Sequence, residues 1–276
     1  MSLLEDPILN DVVLIAAAFA YVFMIILLAM VLKKKEFISG FISRKIIHMG
    51  AGLAIFVIPY MVMPYLAISL PIFLWVLTFF STPKARTELR DIFDTMAQKQ
   101  DETTGHLWGP LFYIAVIGLL VAIFTLADPL FGIISGTPSQ IFQGRFYYAA
   151  TAIVIMMIGD GLCSIIGGKY GKHKYSLRWT GTTRSLEGSL VLLIVSFFLA
   201  LITYTVMGTT LGIPAESVVT TNALLAFNEV ILLSLVAAVT ATIVEAISYT
   251  DLDDFTIPVS VTLVTVFVSI LLGFWI

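Results

Sequence analysis

Residues 158–189 read IGDGLCSIIGGKYGKHKYSLRWTGTTRSLEGS and bring opposite charges together at the edge of apolar segments. Asp160 sits inside an apolar run, where an ionisable group is costly and marks a functional site by default. The run opens into a loop carrying Lys169, Lys172, His173, Lys174 and Arg178, beside glycines that free the backbone to wrap an anion. Thr182, Thr183, Arg184 and Ser185 then lead straight into the next helix. Orphan amides at a helix start bind anions, and the Arg184 fork matches phosphate. Glu187, in the first helical turn, is either a cap favoured by the helix dipole or a metal ligand. Magnesium takes carboxylates together with substrate phosphates, so Asp160 and Glu187 suit Mg2+ better than zinc, which wants Cys and His. The chemistry implied is the handling of a metal-bridged polyphosphate at a membrane surface. Plainer readings are a buried Asp160 bonded to a neighbouring helix, and a basic loop drawn to anionic lipid. They account for the lysines but not for the intervening glycines and flanking acids.

Other groups extend this constellation. Glu245 precedes Tyr249-Thr-Asp-Leu-Asp-Asp-Phe-Thr-Ile-Pro258, whose aspartates either cap a helix with Pro258 in its first turn or offer Asp254 to metal or substrate. In Ser43-Arg-Lys-Ile-Ile-His-Met-Gly50, Arg44 and His48 fall on one helical face, with Lys45 beside His48. An Arg-Lys pair at a membrane edge anchors topology; His48, one turn deeper, is not needed for that. Glu102 and His106 are spaced alike, ahead of Trp108-Gly-Pro-Leu-Phe-Tyr113, and read equally well as a capped helix start beside an interfacial aromatic.

The elements that must position these groups are membrane helices. The chain is 276 residues long, 59% hydrophobic and 12% charged, whereas soluble domains carry about 25% charged residues. The expected fold is all-α: a polytopic bundle of about eight transmembrane helices in one integral-membrane domain, 1–276. The spans fall near 8–32, 46–63, 64–80, 107–127, 146–168, 188–207, 224–247 and 255–276. The first is peripheral to a catalytic part of about 44–276, and the second and third form either a tight hairpin or a re-entrant element. With eight crossings, all of the 15 Lys/Arg except Arg145 lie on one side. By the positive-inside rule that side is cytoplasmic and both termini face away from it. The active face is then cytoplasmic, and the protein resides in a prokaryotic plasma membrane or an endoplasmic-reticulum or plastid membrane. A single cysteine, Cys163, excludes an internal disulfide. Acidic residues before the first span and Lys33-Lys34-Lys35 after it reverse the polarity of a secretory signal, which predicts a retained helix. No G-x-x-x-x-G-K-[ST], H-E-x-x-H or G-x-S-x-G occurs, which argues against a P-loop enzyme, a zinc protease and a serine hydrolase. Nothing points to nucleic acid, and oligomeric state is open.

Taken together, these blocks resemble the CTP-dependent polyprenol kinase family, which includes dolichol and phytol kinases. The resemblance is carried by RKIIHMGAG (44–52), GHLWGPLFY (105–113), GDGLCSIIGGKYGKHK (159–174), RSLEGS (184–189) and DLDDFTIP (251–258). The wider superfamily contains CDP-diacylglycerol synthases, whose further C-terminal signature, S-x-x-K-R…K-D…P-G-H-G-G…D-R-x-D, has no counterpart after Glu245. Two departures stand out: the family pattern has Lys where Arg184 stands and Asp-Asn where Asp253-Asp254 stands. The resemblance implies a membrane kinase that moves the γ-phosphoryl of CTP, with Mg2+, onto an isoprenoid alcohol. Asp160 and Glu187 then hold magnesium, the loop cations with Thr182, Thr183, Arg184 and Ser185 cradle phosphates, and Asp254 or His48 orients the alcohol or takes its proton. A second reading is cytidylyl transfer onto a lipid phosphate. A third is a transporter with an ion site at Asp160, Glu229 and Glu245, although the polar residues gather at one face and no repeat is visible.

Overall fold

A bilayer offers no water to backbone amides, so apolar runs of this length must fold as helices that satisfy themselves. A computed structural model describes residues 5–97, 99–135, 142–181, 183–209, 224–249 and 252–275. Among them, seven helices are long and apolar enough to cross a membrane, and Pro64–Phe80 is a shorter apolar helix. That shorter helix lies where the third span was expected, so the described residues show seven membrane-length helices where the sequence suggested eight. The chain divides into two compact units, 1–118 and 119–276.

In the first unit, α1 (Pro7–Lys34) is capped by the Asp6 carboxylate on the Ile8 and Leu9 amides. Its residues Ala18, Val22, Ile26 and Ala29 recur at helical spacing and bury one stripe. Against that stripe pack Ile47 of α2 (Gly40–Ala51) and Ala54 of the 3₁₀ run that continues it to Tyr60. The hairpin between the second and third runs exposes amides that no helix satisfies. Asp11 satisfies them: one oxygen accepts from Val62 N at 2.9 Å and the other from Met63 N at 2.7 Å. Asn10 Nδ2 donates to the Tyr60 carbonyl at 3.0 Å. The acidic N-terminus, read from sequence as a topology signal, is therefore in part a backbone clamp. After α3 (Ser69–Phe80), two helices appear where sequence showed only a polar connection, α4 (Thr87–Met96) and α5 (Lys99–Thr104). Phe93 and Met96 of the amphipathic α4 enter the same core.

The helix α6 (Trp108–Ser135) runs past the boundary into the second unit. That unit is built around a continuous helical run, Tyr147–Tyr170, comprising α7 (Tyr147–Val154), a π-helical turn (Ile155–Asp160) and α8 (Gly161–Tyr170). Among the described spans it is the most buried. A two-residue antiparallel ladder, β1 (Lys174–Tyr175) with β2 (Arg184–Ser185), closes the loop that follows. Then come α9 (Leu186–Gly208), α10 (Phe227–Ile247) and α11 (Asp253–Leu271). Tyr148 of α7 bonds Ser269 of α11 at 2.6 Å. Arg145, the one basic residue off the expected basic side, is buried; it donates to the Trp275 carbonyl at 2.7 Å and lies 4.9 Å over its ring. It thereby ties the chain after α11 to the start of α7, with the indole face beneath its charge.

Asp11 generates the first prediction. Asp11→Ala strands two amides, each costing about 1–3 kcal/mol when buried without a partner. Thermal unfolding in detergent is expected to fall clearly for Asp11→Ala, and by less for Asp11→Asn, which keeps one acceptor. Unchanged melting of both would refute the clamp.

Candidate active site

Asp160 ends the π-helical turn on the most buried helix, with 7% of its surface exposed. π-helical turns are rare and recur at functional sites, because the inserted residue re-aims its neighbours. Across from it, Asp254 stands in the first turn of α11 at 8% exposure. Their carboxylate oxygens lie within 4.8 Å of one another. Oxygens on one magnesium ion sit about 4 Å apart or less, given bonds of about 2.0–2.1 Å. Two buried acids this close are candidates to share a divalent cation, and carboxylate oxygens are ligands that Mg2+ accepts.

The metal pair expected from sequence was Asp160 with Glu187, and the structure arranges these differently. Gly167 and Gly188 are in contact, a Cβ on Gly167 meeting the Gly188 Cα at 3.1 Å. Asp160 lies two turns back along α8 from that contact, about 10 Å at 1.5 Å per residue. At the other end, Glu187 is turned to the basic loop: its Oε1 meets His173 Nδ1 at 2.7 Å, and both oxygens accept from His173 N at 3.2 Å. Glu187 thus pins the loop to the start of α9, and Asp254 is the acid that joins Asp160.

Several loop residues are also engaged. Ser185 is buried at the N-cap of α9, accepting from Gly188 N at 3.2 Å and donating to the Gly167 carbonyl at 3.4 Å. Lys174 Nζ reaches the same carbonyl at 3.5 Å, a cation at a helix C-terminus. Tyr175 bonds Ser189 at 2.7 Å, and burial raises its phenol above the ordinary value against that hydrogen bond. By contrast Lys169, Lys172, Arg178 and Thr183 are exposed, Lys169 lying 5.2 Å over the Tyr170 ring. Thr182 and Asp251 lie outside the described residues.

Arg184 is 9% exposed and reaches two helices. Its Nη1 is 3.1 Å from Glu245 Oε1, and its Nη2 lies 3.2 Å from the Ser248 carbonyl and 3.4 Å from Asp253 Oδ2. The Glu245 contact is close but off the donor axis, an ion pair rather than a hydrogen bond. Pro258 falls in the second turn of α11 rather than the first. Glu229 caps the other end of α10, accepting from Ala226 N at 2.8 Å, which removes it from any ion site with Glu245.

In the first unit, Arg44 and His48 do share α2. Arg44 pairs with the buried Asp101 at 3.1 Å, a partner that sequence reading missed because a polar stretch gives no sign of burial. Lys45 is half-buried on the same helix. The His48 carbonyl accepts from Tyr113 at 2.6 Å, and the two rings are 4.3 Å apart. Glu102 and His106 do not share a helix: α5 ends at Thr104, and Gly105 takes a left-handed φ of 74°. Glu102 is exposed, while His106 stacks on Phe79 at 5.6 Å.

Comparison with known proteins agrees with the motif resemblance. A phytol kinase from Synechocystis sp. is 26% identical over 189 residues, covering 68% of this chain and 69% of that protein. A dolichol kinase from Saccharomyces cerevisiae is 32% identical over 94 residues, 34% of this chain and 14% of that much longer protein. No family model matches the chain, and no solved structure matches it.

The loop geometry yields a prediction about glycine. A Cβ on Gly171 would stand 2.4 Å from both the Gly167 carbonyl and Ser185 Oγ, whereas one on Gly168 meets nothing within 4 Å. Gly171→Ala is expected to destabilise the protein by about 1–3 kcal/mol through overpacking, while Gly168→Ala is neutral or slightly stabilising. Melting curves of the two variants check this, and equal effects would contradict the packing described.

Proposed function

We propose that this chain, a relative of the phytol and dolichol kinases, is an integral-membrane kinase that transfers the γ-phosphoryl group of CTP to an isoprenoid alcohol. The observation that carries the proposal is the buried Asp160–Asp254 pair, within 4.8 Å, in the unit that also holds the basic loop. Phosphoryl transfer through a loose transition state is largely a matter of positioning and charge stabilisation. The expected residues match that need, in modified roles.

Asp160 and Asp254 would hold Mg2+, which when bound neutralises charge on the β- and γ-phosphates. Lys169, Lys172 and Arg178 are exposed and available to the phosphate tail. Glu187, through His173, and Lys174, through the Gly167 carbonyl, keep the loop folded so that those cations face the nucleotide. The alcohol oxygen attacks the γ-phosphorus, the bond to the β–γ bridging oxygen breaks, and CDP leaves. The alcohol proton departs late, as bond formation lags in a loose transition state. Asp254 or His48 would accept it. The distribution of Lys and Arg supports a cytoplasmic active face, where CTP is made available.

Purified protein given γ-labelled CTP or ATP with farnesol, geranylgeraniol, phytol or dolichol tests the reading. A labelled lipid monophosphate and CDP are expected. Release of pyrophosphate with a CDP-lipid when a lipid monophosphate is supplied in place of the alcohol would instead make the enzyme a cytidylyltransferase. Asp160→Asn and Asp254→Ala are each expected to lower turnover by about 10²–10³-fold, the usual loss for one electrostatic contact in a transition state. Wild-type turnover by folded variants would remove the pair from the mechanism.

A further inference from the structure

We infer that Arg184 is a positioning residue: it fixes the α10–α11 corner so that Asp254 meets Asp160, and it does not itself grip nucleotide phosphate. The inference rests on the metal-site reading above and specifies how that site is held.

The chain of contacts is continuous. One oxygen of Asp253 takes Arg184 Nη2 at 3.4 Å, and the other accepts the backbone N–H of Asp254 at 3.1 Å. The guanidinium therefore reaches the Asp254 backbone through one side chain. The same Nη2 donates to the Ser248 carbonyl at the end of α10, and Ser248 Oγ bonds Thr256 of α11 at 2.6 Å. A single planar group thus ties the last turn of α10 to the first turn of α11.

The other side of the fork ties this corner to the loop. Glu245 Oε1 lies 3.1 Å from Arg184 Nη1, and Glu245 Oε2 accepts from Ser189 of α9 at 3.4 Å. Ser189 is bonded in turn to Tyr175 of β1 at 2.7 Å. Arg184 itself sits on β2, paired with Tyr175 in the ladder. Displacement at this point moves the loop and the acidic corner together.

A phosphate-binding role would require the guanidinium to leave these partners. Glu245, buried to 6% exposure, would then keep its charge without its cation, the situation that makes breaking a buried pair strongly unfavourable. Phosphate has cheaper partners in Lys169, Lys172 and Arg178, which are already exposed. Partners that orient metal ligands typically contribute 10–100-fold to metal affinity when removed.

The experiment is Mn2+ binding to the purified full-length protein in nanodiscs without nucleotide, read by electron paramagnetic resonance, beside KM for CTP at saturating Mg2+. Wild type binds Mn2+, and Asp160→Asn abolishes the binding. Arg184→Gln weakens Mn2+ by about 10–100-fold with the KM for CTP unchanged, and Arg184→Lys, which reaches fewer partners, falls between. Glu245→Gln also weakens Mn2+, and combining it with Arg184→Gln adds little because both act through one pair. Wild-type Mn2+ affinity in Arg184→Gln with a raised KM for CTP would overturn the inference, as would absence of Mn2+ binding by wild type. Should Arg184→Gln fail to fold, unchanged Mn2+ affinity in both Arg184→Lys and Glu245→Gln overturns it equally. If the Mn2+ series behaves as expected and no alcohol is phosphorylated, the positioning role stands and the kinase reading falls.

Discussion

Two carboxylates held within 4.8 Å of each other and almost out of contact with water set the terms for the second unit. Like charges about 4 Å apart repel by about 4 kcal/mol even at an effective dielectric near 20, and burial adds a desolvation cost to each. A fold keeps such a pair only by over-determining its surroundings. The Tyr147–Tyr170 run does so for Asp160 by being buried along most of its length, with a π-helical turn setting the aim of its last residue. The α10–α11 corner does so for Asp254 through bonded side chains. Charge compensation by a cation converts this repulsion into affinity, which is why closely spaced buried acids belong with metal and phosphate chemistry.

Burial alone does not identify such a site, and this chain contains its own control. Asp11 is buried to 1% exposure, yet its oxygens are spent on the Val62 and Met63 amides and on Asn10. Asp128 likewise accepts from the Phe142 amide. These carboxylates act as substitutes for missing helical carbonyls at breaks in the backbone. Asp160 and Asp254 share the chemistry and the burial, and their carboxylates in addition lie close to one another. That closeness, rather than burial, marks them as candidates to hold a cation.

Helix type and most span positions were legible because membrane burial enforces long apolar runs, and residues 158–189 stood out because each polar exception in such runs is conspicuous. Gly167 and Gly188 bring α8 and α9 into backbone contact. Partner choice was not readable. Asp160 and Glu187 each stood out, but their pairing depended on the antiparallel register of α8 and α9, which places Glu187 beside His173 instead. Arg184 looked like a phosphate ligand because its position beside hydroxyls and a helix start is the usual setting for one. Only coordinates reveal that Glu245, Asp253 and Ser248, distant in sequence, already occupy its fork. In the first unit, α4 was invisible to a search for membrane-length runs since only Phe93 and Met96 of its short face enter the core.

The two departures from the polyprenol kinase pattern become intelligible at the same corner. The resemblance implies lysine at position 184 and an amide at position 254, whereas this chain has arginine and a second acid. An ammonium is a point charge with a flexible stem, while guanidinium is a rigid fork able to serve several acceptors at once. Here that fork spans Glu245, the Ser248 carbonyl and Asp253, so the corner is braced from two sides. A carboxylate at 254 is repelled by Asp160 where an amide would not be, and it needs firmer support to stay in place. In this chain the added negative charge at 254 and the Arg184 brace therefore meet at one corner.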